Sequence, residues 1–223
     1  PAERHAIYQQ FNLLYFDEAV GIPVVLVTSH GYEQSYLSGR IMNPIFAGDY
    51  YKTIEKSGGA DPTTIVNASI GDADTLDPAL SYDTASGEII QNVYETLVYY
   101  DGIATDKFVG QLAESWEVSE DGTVWTFKLR EGVKFHEGGD LTPSDVVYSF
   151  VRGLLQGGYS SPQWLLAEPI LGVGIDDITG IVDDFASADS RETLVANPPE
   201  KLVGACETVY SHFATDDDAN TVT

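Results

Sequence analysis

Cysteine is almost missing from this chain: Cys206 stands alone among 223 residues. One thiol closes no intrachain disulfide and builds no cysteine-rich zinc site. Histidine is nearly as sparse. His5, His30, His136 and His212 lie far apart, without the spacing that brings two imidazoles to one metal. Basic residues are few, 11 Lys and Arg against 35 Asp and Glu, for a formal charge of −24. That balance excludes nucleic acid as a partner, because affinity for a polyanion comes from cationic side chains that displace its counterions. An anionic lipid surface is disfavoured for the same reason. So high a charge speaks of solubility and self-repulsion rather than of fold, and it suits a salty habitat. No apolar run reaches the roughly 20 residues a membrane-spanning helix needs. Pro1 does not open a basic-then-apolar leader, so any export signal is expected to have been removed or to lie outside this chain.

Catalytic motifs are lacking too. There is no G-x-G-x-x-G, no Walker loop and no G-x-S-x-G around Ser149, Ser160 or Ser161. No nucleophile–base constellation stands out, and no cofactor is implied. Asp72, Asp74 and Asp77 suggest a calcium loop, but an EF-hand needs Gly at its sixth position and Glu at its twelfth. Those positions hold Asp77 and Asp83, so a solvated turn is the reading of GDADTLDP.

What is present is a core. Hydrophobic residues make up 43% of the chain, and its length allows one large or two small domains. The most informative stretch runs from Ala113 to Phe150. Trp116 and Val118 share a face at period two. Asp121-Gly122 marks a hairpin turn. Trp125, Phe127 and Leu129 then alternate with Thr126, Lys128 and Arg130, which predicts one core face and one wet face. Val133 and Phe135 resume the apolar face after Gly132. Thr142 is placed to cap a helix, Pro143 to be its first residue, and Asp145 to reach back to the cap. Val147, Phe150, Val151 and Leu154 form that helix's apolar stripe.

Elsewhere the pattern predicts a helix over 3–19 with Ile7, Phe11 and Leu14 on one face. It predicts buried strands at 22–27 and 65–70, and a helix over 86–100 carrying Ile89, Val93 and Leu97. Ser57-Gly58-Gly59 reads as an exposed, mobile linker. Beyond Gly157 the pattern loosens, and Pro198-Pro199 precedes a helix with Leu202, Val203, Cys206, Val209 and Phe213. Asp216–Asp218 reads as a turn, and 221–223 as the start of an unfinished strand. That strand is expected to leave an open sheet edge, inviting self-association or pairing with a complementing fragment.

Several ordered motifs carry a resemblance. They are Leu112-Ala113-Glu114-Ser115-Trp116, Asp121-Gly122, Trp125 to Arg130, Gly132-Val133-Lys134-Phe135 and Leu141 to Phe150. In this order they resemble the extracellular solute-binding protein family 5, the oligopeptide- and dipeptide-binding proteins of ABC importers. Residues 61–223 resemble the beginning of the mature family protein, with lobe one and its small subdomain. Residues 1–56 resemble its end, through Arg4, Tyr8-Gln9-Gln10, Ile22-Pro23, Val27, Gly39 and Asn43-Pro44. Residues 57–60 would be the linker. The resemblance therefore implies a circularly permuted fragment of lobe one, lacking most of the second lobe.

The implied fold is α+β with a mixed sheet, lobe one of a type II (cluster C) periplasmic-binding-protein fold. Strands 22–27 and 65–70 would share a sheet, with 113–155 in a neighbouring subdomain. The implied function is non-catalytic: binding peptides or similar small solutes in an interlobe cleft, outside the cytoplasm, for delivery to a membrane permease. Cleft contacts would come from Ser81, Tyr82, Asp83 and Thr84; the other reading of that segment is an ordinary strand-to-helix connection. Gln163 and Trp164 form a second candidate patch, with Trp164 either covering ligand or lying in the core. Two other functional readings stay open: a scaffold or sensor reusing the fold without a ligand, and an acidic extracellular hydrolase.

Overall fold

The computed structural model describes residues 2–21, 31–46, 48–59, 61–68, 71–156, 162–171 and 200–223. The chain divides into two units, Pro1–Ser35 and Tyr36–Thr223. The first holds α1 (Ala2–Asp17), close to the expected 3–19, and no residue of this helix is buried. The expected strand at 22–27 lies outside the described residues.

The second unit is organised by a four-stranded antiparallel sheet. β5 (Ala113–Val118) and β6 (Trp125–Leu129) form the expected hairpin, with Trp116 opposite Phe127 and Val118 opposite Trp125. Asp121 sets its turn: one carboxylate oxygen accepts from the Ser119 hydroxyl (2.6 Å), the Thr123 hydroxyl and the Thr123 amide. These bonds hold the Asp121 carboxyl down at about 2. Gly122 takes a φ of 77°, which is costly for a side-chain-bearing residue. Burial fades along the apolar face towards the turn. Leu129 is fully buried, Phe127 half-buried, and Trp125 is 48% exposed while stacking on Phe127.

β7 (Thr215–Asp216) and β8 (Thr221–Val222) make a second hairpin. The spatial order is β5-β6-β8-β7. β8 is therefore not the open edge expected of an unfinished strand. It pairs with β6 on one side, Phe127 against Val222, and with β7 on the other. The reason is that Val222 is 97% buried: the apolar strand takes the inner place and the acidic strand β7 takes the rim.

Against this sheet packs α3 (Pro143–Gln156), and α4 (Trp164–Leu171) and α5 (Glu200–Tyr210) pack on α3. Val146, Val147, Val151 and Leu154 of α3 join Ala167, Val209, Leu129 and Val222 in one core, and Phe150 stacks on Phe213 at 5.6 Å. Asp145 reaches back to Thr142 as expected, while the Asp145 amide bonds the Thr142 carbonyl and not its hydroxyl. Asp145 Oδ2 accepts from both the Thr142 amide (2.8 Å) and its hydroxyl (2.7 Å). α4, unforeseen in the loosened pattern, starts on a turn at Pro162-Gln163 and keeps Pro169 near its end.

The remaining ladders are two short hairpin pairs. β1 (Leu37–Ser38) pairs with β2 (Glu55–Lys56), and β3 (Val98–Tyr100) with β4 (Phe108–Gly110), also antiparallel. β3 corrects the helix expected over 86–100. α2 spans only Thr84–Val93, and Tyr94 turns extended with ψ 155°. The run Leu97-Val98-Tyr99-Tyr100 prefers a pleated surface, and β4 is there to pair with it. Helix and sheet thus coexist as α+β, and every described ladder is antiparallel. The expected strand at 65–70 does not form over 65–68, where Val66 is 86% exposed; an apolar run with no neighbouring strand stays irregular.

The segment 57–59 is not free of contacts. The Ser57 amide and hydroxyl donate to the Tyr36 carbonyl (2.8 and 3.0 Å), and a Cβ at Gly58 would come within 3.1 Å of Tyr36 Cβ. Lys56 lies over the Tyr36 ring.

Candidate functional site

The loop leading into α2 is a built structure rather than a solvated turn. Ser86, in the first turn of α2, is fully buried. Its hydroxyl oxygen accepts from the amides of Asp74 (2.9 Å) and Thr75 (3.2 Å). Asp77 makes a two-pronged pair with Arg152 of α3, at 2.7 and 2.5 Å, while also accepting from the Ala79 amide. Fork-to-carboxylate pairing of this kind is the strong form of an ion pair. The Arg152 guanidinium, with the Ala79 amide, holds the Asp77 carboxyl at about 2.

Ser81, Tyr82, Asp83 and Thr84 follow this loop. Asp83 is the N-cap of α2, its Oδ1 accepting from the Ser86 amide at 2.8 Å. That bond holds its carboxyl below the ordinary range. Its Oδ2 is buried without a hydrogen-bond partner. Ser81 closes a backbone turn onto the Asp77 carbonyl, and Tyr82 is 69% exposed. Gln163 is brought to the same loop: its Nε2 donates to the carbonyls of Pro78 (3.3 Å) and Ala79 (3.2 Å). Trp164 opens α4 beside it, and its side chain lies outside the described residues. Two of the residues that build this corner, Ser86 and Arg152, escaped sequence reasoning. The spacing of Asp83 and Ser86, cap and third helical residue, was the available signal for the first. No local signal links residues 77 and 152.

A concavity lies beside α2, lined in part by Gln91. It encloses about 340 Å³ between the segment 41–53 and the β3–β4 hairpin. Its walls are aromatic. Tyr99 is stacked between Phe46 (5.4 Å) and Tyr50 (5.2 Å), and Tyr100 meets Phe46 edge-on. Amides brace it. Asn43 Nδ2 donates to the carbonyls of Gly102 and Ala104, the Tyr99 hydroxyl donates to Gln91 Oε1, and Gln111 Nε2 donates to the Tyr50 oxygen. Burial raises the Tyr99 phenol above its ordinary value. Among the described residues no group of His, Cys, Asp and Glu is arranged to hold a metal.

The family model described as "Bacterial extracellular solute-binding proteins, family 5 Middle" matches residues 107–221, more than half of the chain, and the chain belongs to this family. Its relatives include heme-binding protein A of Haemophilus influenzae, 46% identical over 80 residues, which cover 33% of this chain and 14% of that protein. The dipeptide-binding protein of Escherichia coli K12 is 39% identical over 100 residues, 40% of this chain and 18% of that protein. The chain therefore matches less than a fifth of these relatives' lengths, and all of them are binding proteins by name. Among solved structures, the murein tripeptide-binding protein MppA of E. coli aligns at 22% identity with a TM-score of 0.42, covering 67% of this chain and 24% of that one. MoaA of A. tumefaciens R10, in complex with mannopinic acid, aligns at 34% identity with a TM-score of 0.38, over 42% of this chain and 20% of that one.

Proposed function

We propose that this chain is part of the substrate-binding component of an ABC importer, a non-catalytic receptor that takes peptides or similar small solutes outside the cytoplasm. The observation that carries this reading is the family match over 107–221. In this reading the ligand is clamped between two lobes that close about a hinge and then dock on a permease. In this reading the chain supplies one wall of the clamp. Tyr82 offers an exposed ring to the ligand. Asp83 caps α2 behind it, with its second carboxylate oxygen buried. Gln163, bonded to the Pro78 and Ala79 carbonyls, would add a second polar contact, with Trp164 following it at the start of α4.

The order of segments is read as permuted, with 1–56 equivalent to the end of the family protein and 61–223 to its beginning. The packing of 36–56 onto α2 and β3 supports this. The Tyr51 amide donates to Asn92 Oδ1 (2.8 Å), Asn92 Nδ2 donates to the Asp49 carbonyl, and Asn43 reaches Gly102. These are the contacts expected of two ends that belong to one lobe and were joined through 57–60.

A single wall leaves much of the ligand wet, so this chain alone should bind dipeptides at millimolar strength or weaker, roughly −4 kcal/mol. Calorimetry with a dipeptide and tripeptide panel, on this chain and on a protein restored to its relatives' length, tests the proposal. Restoration should bring micromolar binding, weakened by Tyr82→Ala. Micromolar binding by the isolated monomer refutes the clamp. Silence of the restored protein leaves a ligand-free scaffold, and peptide cleavage makes it a hydrolase.

A further inference from the structure

We infer that the aromatic concavity between 41–53 and the β3–β4 hairpin is a binding site for one uncharged planar aromatic ring, separate from the peptide wall at 81–84. The ring stack makes the first argument. Phe46 and Tyr50 each stack on Tyr99, tilted from it by 26° and 25°, and all three rings line the concavity. An aromatic face prefers an offset ring to water, and a ligand ring continues the stack without disturbing it.

Shape makes the second. Gly48, Gly102 and Gly110 line the concavity and keep its walls thin, and its 340 Å³ is at the small end of ligand pockets. A single or fused ring fits; a folded peptide does not. A Cβ on Gly110 would collide with the Ala113 carbonyl at 2.2 Å, so that wall is pinned by the adjoining strand.

Charge and hydrogen bonding make the third. Among the described residues the one charged group lining the site is Lys52, which is 3.4 Å from Glu95. No unbalanced charge asks for an ion. Two phenols keep a donor for the ligand edge. The Tyr50 hydroxyl accepts from Gln111 and donates to no acceptor among the described residues, and the Tyr100 hydroxyl has no hydrogen-bond partner among them. The ligand chemistry is thus a flat apolar ring with at most one or two polar edge atoms. Indole-like and phenol-like groups meet it, free or as a peptide side chain.

The test is calorimetry on this chain with indole, Ala-Trp and Ala-Ala, backed by ligand-observed NMR. Indole should bind saturably, with Kd on the order of 1 mM. Tyr50→Ala should weaken it about tenfold. Val109→Trp, which sets an indole opposite Tyr99 at the half-exposed rim and fills the concavity with it, should abolish it, with a cooperative thermal melt showing that the chain still folds. Tyr82→Ala should change nothing, which separates this site from the peptide wall. Ala-Trp binding tighter than indole, with Ala-Ala silent, assigns the ring to a peptide; equal binding of indole and Ala-Trp assigns it to a free aromatic. No saturation at tens of millimolar, or binding that survives Val109→Trp, overturns the site.

Discussion

Replacing Asp77 by Asn removes a charge from the Arg152 pair while keeping an oxygen for the Ala79 amide. The folded carboxyl is drawn from 3.8 to about 2. At about 1.4 kcal/mol per pH unit this corresponds to about 2.5 kcal/mol of preference for the charged form. The two side chains are 29 and 31% exposed, so water and salt screen part of that, and about 1–2 kcal/mol is the expected stability difference at pH 7. The sign follows from the depressed folded value. The contribution is complete above the unfolded value near 4 and vanishes as pH falls through about 2. Urea unfolding of the wild type and Asp77→Asn between pH 2 and 7 reads it directly. The background charge of −24 relaxes on acidification in both proteins and cancels in the difference. Arg152→Gln and the double variant complete a cycle that isolates the coupling. A difference that is flat from pH 7 to pH 2.5, or a coupling under about 0.3 kcal/mol, refutes the argument that this pair clamps the loop to α3.

Two further substitutions probe the frame around the sites. Ser86→Ala leaves the Asp74 and Thr75 amides without their buried acceptor and should cost about 1–3 kcal/mol in urea unfolding; a change within about 0.3 kcal/mol would mean that water serves both amides. Leu129→Ala opens a void where β6, β8 and α3 meet and should lower stability by about 2–5 kcal/mol, with less than about 1 kcal/mol showing that the core collapses around it.

The parts read most accurately from the residues are those whose partners are near in sequence. The β5–β6 hairpin follows from alternation and Asp121-Gly122. The Thr142–Asp145 contact follows from a spacing of three. Where the outcome rests on distant partners, local pattern misleads. Leu97 fits the helical register of Ile89 and Val93, yet it lies beyond the end of α2, and its carbonyl accepts from Gln111 and Ala113. Asp77 looks solvated until Arg152 arrives from 75 residues away. Of the expected site residues, Ser81 to Thr84 and Gln163 do gather at one corner. The aromatic concavity was invisible because Phe46 and Tyr50 are far from Tyr99 in the chain, and their stacking leaves no periodic trace.

The inner position of β8 has a consequence for how the sheet comes together. Each hairpin closes over a handful of residues, whereas the line between them joins Phe127 to Val222 and Lys128 to Thr221 across more than ninety. Closing so long a loop carries an entropic cost that grows only slowly with length, but it must be met before the contacts along the line offset it. The sheet is thus two quick local folds stitched along one late seam. Among the described residues the hydrogen bonding along that seam is two ladder pairs, the Leu129–Asn220 bonds and the Thr126–Thr223 hydroxyl contact. A crack there would part the sheet in its middle and bare Leu129 and Val222, while both rims stayed intact.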